Sequence, residues 1–211
     1  MAERRPIATR NSKWAAAVAR ALVRSGITPN AISQASVIFA VLGGGAFWAS
    51  GQTGTTASAL LLVAAALCCQ LRLLCNLFDG MVAVEGGRAA PDGPFWNEAP
   101  DRFADIAILV GAGLALHQPA LGFAAATAAV LTAYIRELGR AEGAAVDFSG
   151  PMAKPQRMAA ITLGAGLGAI EIVTTGTHWA LTLALWLVVL GAAFTALRRA
   201  ARLIAHLKSR G

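Results

Sequence analysis

The sequence predicts an all-α integral membrane protein, with six transmembrane helices preceded by an N-terminal amphipathic juxtamembrane helix. Three observations carry that reading. The 211 residues are 56% hydrophobic and only 14% charged, with a mean hydropathy of +0.59, far from the balance of a soluble domain. The apolar residues gather into segments near the roughly 20 residues that a helical span needs. Lys and Arg collect at the termini and at alternate loops, as membrane topology places them.

Taken in order, residues 1–10 are polar and basic. With no early apolar run, they predict no cleaved leader. Residues 11–25 form an amphipathic pattern, with Trp14, Ala17, Val18, Ala21 and Leu22 on one side and Lys13, Arg20 and Arg24 flanking them. Such a helix suits the cytoplasmic interface, apolar face down. Gly26-Ile27-Thr28-Pro29-Asn30 breaks it, and Asn30 or Ser33 is the expected cap of the next helix. The spans are then expected at about 31–50, 57–83, 95–116, 120–138, 157–173 and 179–197. The tail, 198–211, is basic and amphipathic and suits anionic lipid heads. The chain thus divides into residues 1–30, a basic segment with an interfacial helix, and residues 31–211, a six-helix domain with a basic tail.

Six spans put both termini on one side. The loops there carry Arg88, Arg140 and Lys154, whereas the opposite turns (51–56, 117–119 and 174–178) contain no Lys or Arg. The positive-inside bias therefore predicts a multi-pass protein of the cytoplasmic (inner) membrane with both termini cytoplasmic. The net charge of +7 does not indicate nucleic acid, because little soluble surface remains to bind it. Cys68, Cys69 and Cys75 lack zinc spacing and read as small buried hydrophobes. His117, His178 and His206 fall on turns or the tail and are assigned no chemistry. Glu171, at the outer end of the fifth span, has no reading from the sequence. Gly164-x3-Gly168 predicts close helix packing, either within the chain or in a homodimer.

Against this apolar background, one stretch stands out. Asn76, Asp79, Gly80 and Ala83 fall at i, i+3, i+4 and i+7 and share a helix face. After a loop rich in Gly and Pro, Asn97, Asp101 and Asp105 recur every fourth residue. Oxygen-bearing side chains thus line two helices that a short loop makes neighbours. Ionisable groups at membrane depth are expensive and are functional by default. Hard cations such as Mg²⁺ take oxygen ligands of this kind. Arg72 lies one turn before Asn76 inside an apolar span. It needs an anionic partner, either a substrate phosphate or Asp105.

The stretch from Asn76 to Asp101 resembles the signature of the CDP-alcohol phosphotransferase family, Asp-x2-Asp-Gly-x2-Ala-Arg-x8-Gly-x3-Asp-x3-Asp. Here it reads Asn76-x2-Asp79-Gly80-x2-Ala83-Val84-x8-Gly93-x3-Asn97-x3-Asp101, with every spacing kept and five of the eight residues matched. The first and third aspartates are Asn and the arginine is Val84, a position for which Arg88 is a weak substitute. Thr28-Pro29-Asn30, Arg136-Glu137, and Lys154 with Arg157 also look like family features, so the resemblance spans nearly the whole chain.

The resemblance implies a reaction. A CDP-alcohol, usually CDP-diacylglycerol, binds through one or two Mg²⁺ or Mn²⁺ ions held at Asn76, Asp79, Asn97 and Asp101. Gly80, Ala83, Gly93 and Asn76 border the CDP moiety. Asp101 is the general base for the hydroxyl of a small alcohol or alcohol-phosphate acceptor, and CMP leaves. Arg136, Lys154, Arg157 and Arg72 are candidates for the substrate phosphate or an acidic acceptor, with the positive-inside bias as the plainer account. Asn ligates only through a neutral carbonyl, so a nearby acid is expected to compensate. Glu98 and Asp105 are the candidates, and ion pairs with Arg72 or Arg102 are their alternative. A competing register takes Asp101 and Asp105 as the third and fourth aspartates. Two functional classes follow: a phospholipid-making enzyme, or a scaffold that binds lipid or nucleotide without turnover.

Overall fold

The computed structural model describes residues 12–86 and 91–210, without the side chains of Glu85 and Asn97. The N-terminal basic segment 1–10, Arg88 and the Asn97 side chain therefore lie outside the described residues. Seven helices follow one another: α1 (Lys13–Arg24), α2 (Pro29–Ser50), α3 (Thr55–Glu85), α4 (Gly93–Ala115), α5 (Pro119–Ala141), α6 (Lys154–Thr174) and α7 (Trp179–Lys208). Among the described residues there is no strand. Five helices, α2, α3, α5, α6 and α7, are long and apolar enough to cross a membrane, so the chain is a multi-pass membrane protein. Helix α4 falls outside that set. Glu98, Asp101, Arg102 and Asp105 crowd its first half and leave only a short apolar run beyond.

The six long helices form a closed ring. Going round it, α2 packs on α3, α3 on α6, α6 on α7, α7 on α5, α5 on α4, and α4 back on α2. This corrects one expectation. Helices α3 and α4, joined by the short loop, make at most a glancing contact among the described residues, and α2 packs against both. The sequence of α2 explains why. Its buried stripe, Ser33, Ser36, Ala40, Gly43, Gly44, Phe47 and Ser50, is mostly small. A Cβ added at Gly44 would lie 2.3 Å from the Ala107 carbonyl oxygen, and one at Gly111 2.3 Å from that of Gly44. The two backbones therefore touch, with dispersion contacts replacing side chains, as between membrane helices generally. Packed in this way, α2 contacts both α3 and α4, which meet each other chiefly through the side chain of Arg72.

Helix ends are settled by local chemistry. The Thr28 hydroxyl accepts the Ala31 N–H at 3.2 Å and caps α2, with Pro29 opening it. The expected caps are used elsewhere: Asn30 donates to Asp92 and Ser33 to Asp79. Glu171 finds its role at the opposite end of the bundle. It accepts the Thr177 hydroxyl and the backbone N–H groups of Trp179 (2.9 Å) and Ala180 (2.8 Å), satisfying orphan donors that open α7.

Helix α1 buries Ala15 and Ala19 in a small core with Ile32, Leu77, Phe78, Met81 and Val82. Trp14 meets Phe78 edge-on, with centroids 6.0 Å apart. The buried stripe is thus rotated from the expected face, and Trp14, Ala17, Val18 and Ala21 remain exposed. Helix α7 runs without a break through the basic tail, burying Arg199 and Leu203 on the way. Gly164 works within the chain, since a Cβ there would lie 2.5 Å from that of Ala184 on α7.

Candidate active site

Two layers of charge lie between α3 and α4. The deeper layer is a triad. Asp105 on α4 accepts Arg72 Nη2 from α3 at 2.9 Å on one carboxylate oxygen and Arg157 Nη2 from α6 at 2.6 Å on the other. Arg157 also donates to the Thr132 hydroxyl and the Met152 carbonyl, each at 3.1 Å. All three charged side chains are essentially inaccessible: Arg72 0%, Asp105 1% and Arg157 2% exposed. Of the two partners considered for Arg72, the protein thus supplies Asp105. Removing either partner of such a pair leaves an uncompensated buried charge. The fit is tight but incomplete, because Arg72 Nε and Nη1 and Arg157 Nε have no hydrogen-bond partner.

One turn nearer the mouth lies the second layer. On α3, Asp79 accepts the Ser33 hydroxyl of α2 at 2.9 Å. Asn76 Oδ1 lies 3.5 Å from the Ser36 hydroxyl. On α4, Asp101 Oδ1 accepts Lys154 Nζ from the start of α6 at 2.5 Å. Arg72 Nη2 stands 3.5 Å from the same oxygen, and Arg102 Nη2 stands 3.7 Å from Oδ2. Counted together, Arg72, Arg102, Lys154 and Arg157 surround Asp101 and Asp105, four cations on two carboxylates. Asn97 is placed on α4 by its backbone, with its side chain outside the described residues.

The other expected residues divide. Gly80, Ala83 and Gly93 are half-buried, and a Cβ at Gly93 would meet nothing within 4 Å. Glu98 pairs with Arg136 and, at 3.6 Å, with Arg102. Neither candidate compensating acid is therefore unengaged, since arginines hold both Glu98 and Asp105. Arg136 also pairs with Glu137 at 2.9 Å and stands over the Phe148 ring. Beside Arg136 opens a cavity of about 350 Å³, lined in part by Asp147, Arg199, Arg202 and His206. The last three recur at i, i+3 and i+7 on α7. That spacing was visible in the sequence but reads there as a lipid-facing tail. Arg199 is oriented by the Ser149 and Thr132 carbonyls, at 3.0 and 2.7 Å.

No family model matches the chain. A curated relative, the phosphatidylinositol phosphate synthase of Mycolicibacterium smegmatis, is 28% identical over 189 residues, 86% of this chain and 80% of that one. The crystal structure of the Mycobacterium tuberculosis phosphatidylinositol phosphate synthase with CDP-DAG bound superposes with a TM-score of 0.76 at 22% identity, covering 91% of this chain and 94% of that one. The same enzyme in complex with manganese and citrate gives 0.74 at 23% identity, covering 90% and 88%. The solved structures establish the shared fold, and the relative aligns across the motif-bearing helices. In sequence and in fold the chain is similar to members of the CDP-alcohol phosphotransferase family.

For a chain with this motif, the donor set decides whether a metal fits. Among the described residues, no three His, Cys, Asp or Glu side chains gather into a metal-binding group. Any ion must therefore use amide carbonyls beside the two carboxylates. Asn76 is suited to that. Its Nδ2 is buried without a partner while its Oδ1 makes only the long contact to Ser36. Turning the amide over lets Nδ2 donate to Ser36 and frees the carbonyl for a cation. Asn76, Asp79 and Asp101 would then offer the oxygen donors that a hard divalent ion takes. A second ion meets resistance, since a divalent cation about 4 Å from an ammonium is repelled by roughly 8 kcal/mol at an effective dielectric constant near 20.

Proposed function

We propose that the chain is a metal-dependent CDP-alcohol phosphatidyltransferase of the cytoplasmic membrane. It transfers the phosphatidyl group of a CDP-alcohol, CDP-diacylglycerol in the first instance, to the hydroxyl of a small alcohol or alcohol phosphate, as a step of phospholipid synthesis. The observation that carries this is the placement of Asn76 and Asp79 on α3 and of Asp101 on α4, with Ser33 of α2 on Asp79 and Lys154 of α6 on Asp101. The names of the relative and of the solved structures agree with the substrate class.

Each residue then has work to do. Asn76, Asp79 and Asp101, joined by Asn97, are the ligands of a Mg²⁺ or Mn²⁺ ion. When bound, the ion neutralises the diphosphate and stabilises the departing CMP. Gly80, Ala83 and Gly93 leave room for the nucleotide against the backbone. The acceptor oxygen forms a bond to the phosphorus that carries diacylglycerol, and the bond from that phosphorus to CMP breaks. Asp101 takes the hydroxyl proton through Oδ2, because Lys154 already occupies Oδ1. Arg136, with Arg199 and Arg202 around the neighbouring cavity, suits an acceptor carrying an anionic group, as the product named for the relative does. Arg72 and Arg157 act from beneath, through Asp105.

The membrane setting follows the same logic. Helix α4 is the sixth span, its charged half shielded inside the ring. The exposed Trp14, Ala17, Val18 and Ala21 of α1 suit the cytoplasmic interface. Both termini lie on the cytoplasmic side with the motif loop.

The test uses purified protein, CDP-diacylglycerol, Mg²⁺ and a panel of alcohols and alcohol phosphates. CMP release that depends on the acceptor is the expected result. Absence of both CMP release and nucleotide binding overturns the proposal. One observation favours a second reading, a scaffold that binds without turnover: two motif carboxylates are Asn, and arginines hold both neighbouring acids. If wild type is inert and Asn76→Asp with Asn97→Asp is active, that reading is correct.

A further inference from the structure

We propose that the site holds a single divalent cation, centred on Asn76 and Asp79 and completed by Asp101, and that the Lys154 ammonium on Asp101 Oδ1 is the fixed charge standing where a second ion would otherwise sit. The inference rests on the phosphotransferase reading and assigns its metal stoichiometry. The two retained motif carboxylates have unlike surroundings. Asp79 has a neutral hydroxyl at 2.9 Å and, among the described residues, no cationic side chain within 4.0 Å. Asp101 has three cations within that distance: Lys154 at 2.5 Å, Arg72 at 3.5 Å and Arg102 at 3.7 Å.

Substitution and pairing point the same way. Asn76 and Asn97 remove two negative charges from the ligand set while keeping two neutral carbonyl donors. Neither candidate acid restores them, since Asp105 and Glu98 are engaged by arginines. Two divalent ions would set four positive charges, beside Lys154, against two carboxylates. One ion with Lys154 sets three against two. That leaves one net positive charge, suited to the diphosphate of the incoming nucleotide. A Lys ammonium is also a compact donor that rotates to follow a ligand oxygen, so Lys154 stays on Asp101 without demanding metal geometry.

The experiment titrates full-length detergent-purified protein with Mn²⁺ and reads bound ion by equilibrium dialysis and electron paramagnetic resonance. Wild type is expected to bind one Mn²⁺ per chain with the six-line spectrum of an isolated ion. Asn76→Asp with Asn97→Asp and Lys154→Ala is expected to bind two, with the broadened spectrum of an exchange-coupled pair. Retaining Lys154 in that background is expected to weaken the second ion by about tenfold or more. Two coupled ions in wild type, or no bound Mn²⁺, overturns the inference. So does a second-ion affinity that ignores residue 154. The wild-type count does not depend on any variant folding. CMP release with two ions bound per chain would overturn the single-ion site and leave the transferase reading. One ion bound without CMP release from any donor would do the reverse.

Discussion

Asp101 and Asp105 sit one turn apart on the same helix and live in different worlds. Asp105 is inaccessible and bound on both oxygens by Arg72 and Arg157 from two other helices. Asp101 lies at the mouth, held mainly through one oxygen by a lysine at the start of α6. The deep layer ties three helices together. The outer layer leaves donor atoms available, at Asp79, at Asn76 and on Asp101 Oδ2. Buried ion pairs are weak stabilisers but strong positioning devices. Here the pairing joins α3, α4 and α6 beneath the motif residues.

The comparison is sharpest when each aspartate is altered alone. Asp101→Asn is expected to cut CMP release by about 10²–10⁴, the usual contribution of a positioned general base, with little change in thermal unfolding. Asp105→Asn leaves two buried guanidinium groups facing a neutral amide. It is expected to cost about 3–5 kcal/mol of stability, read as lost monodispersity and a lower Tm, with activity falling in step. If Asp105→Asn loses activity at unchanged stability, the division between structural and chemical layers fails.

Smaller changes probe the packing around the site. Gly44→Val drives side-chain atoms into the Ala107 carbonyl. It is expected to cost about 1–3 kcal/mol and to lower donor affinity as α2 shifts, which a CDP-diacylglycerol titration measures. Glu171→Ala removes the acceptor at the start of α7, at the far end of the bundle. A loss of about 0.5–2 kcal/mol is expected, with CMP release per folded molecule unchanged. The least effect belongs to Asp147, on the loop between α5 and α6. Burial pushes its carboxyl up, but the Ser149 hydroxyl, the Ser149 N–H and Arg202 outweigh that and hold it below the usual carboxylate range. A depressed folded value contributes stability that is present above the ordinary carboxylate range and lost as pH falls through the folded one. Asp147→Asn is therefore expected to flatten the acid limb of a Tm-against-pH curve slightly, with a correspondingly small loss of stability at neutral pH.

Much of this was legible along the chain. The apolar segments lie close to the helices, and the ends shift by a few residues because caps decide them. Thr28 was part of the break before the first span, yet nothing local said that its hydroxyl, rather than Asn30 or Ser33, would cap it. The polar faces of α3 and α4 could be read from spacing, and so could the demand of Arg72 for an anion. The burial of Arg199 was not legible, because a basic tail after a span looks the same whether a residue faces lipid heads or the bundle.

By itself, the sequence determined that the chain is helical, enters the membrane several times and carries Asn76, Asp79, Asn97 and Asp101 at the family spacing. Those are properties of periodicity and composition, and they act within one helix. Only the tertiary structure decided that α3 and α4 stand apart, that Arg72 and Arg157 meet on Asp105, and that Lys154 reaches Asp101. A buried charge takes its partner from whichever helices converge on it, and that convergence depends on backbone contacts as distant in sequence as Gly44 and Gly111.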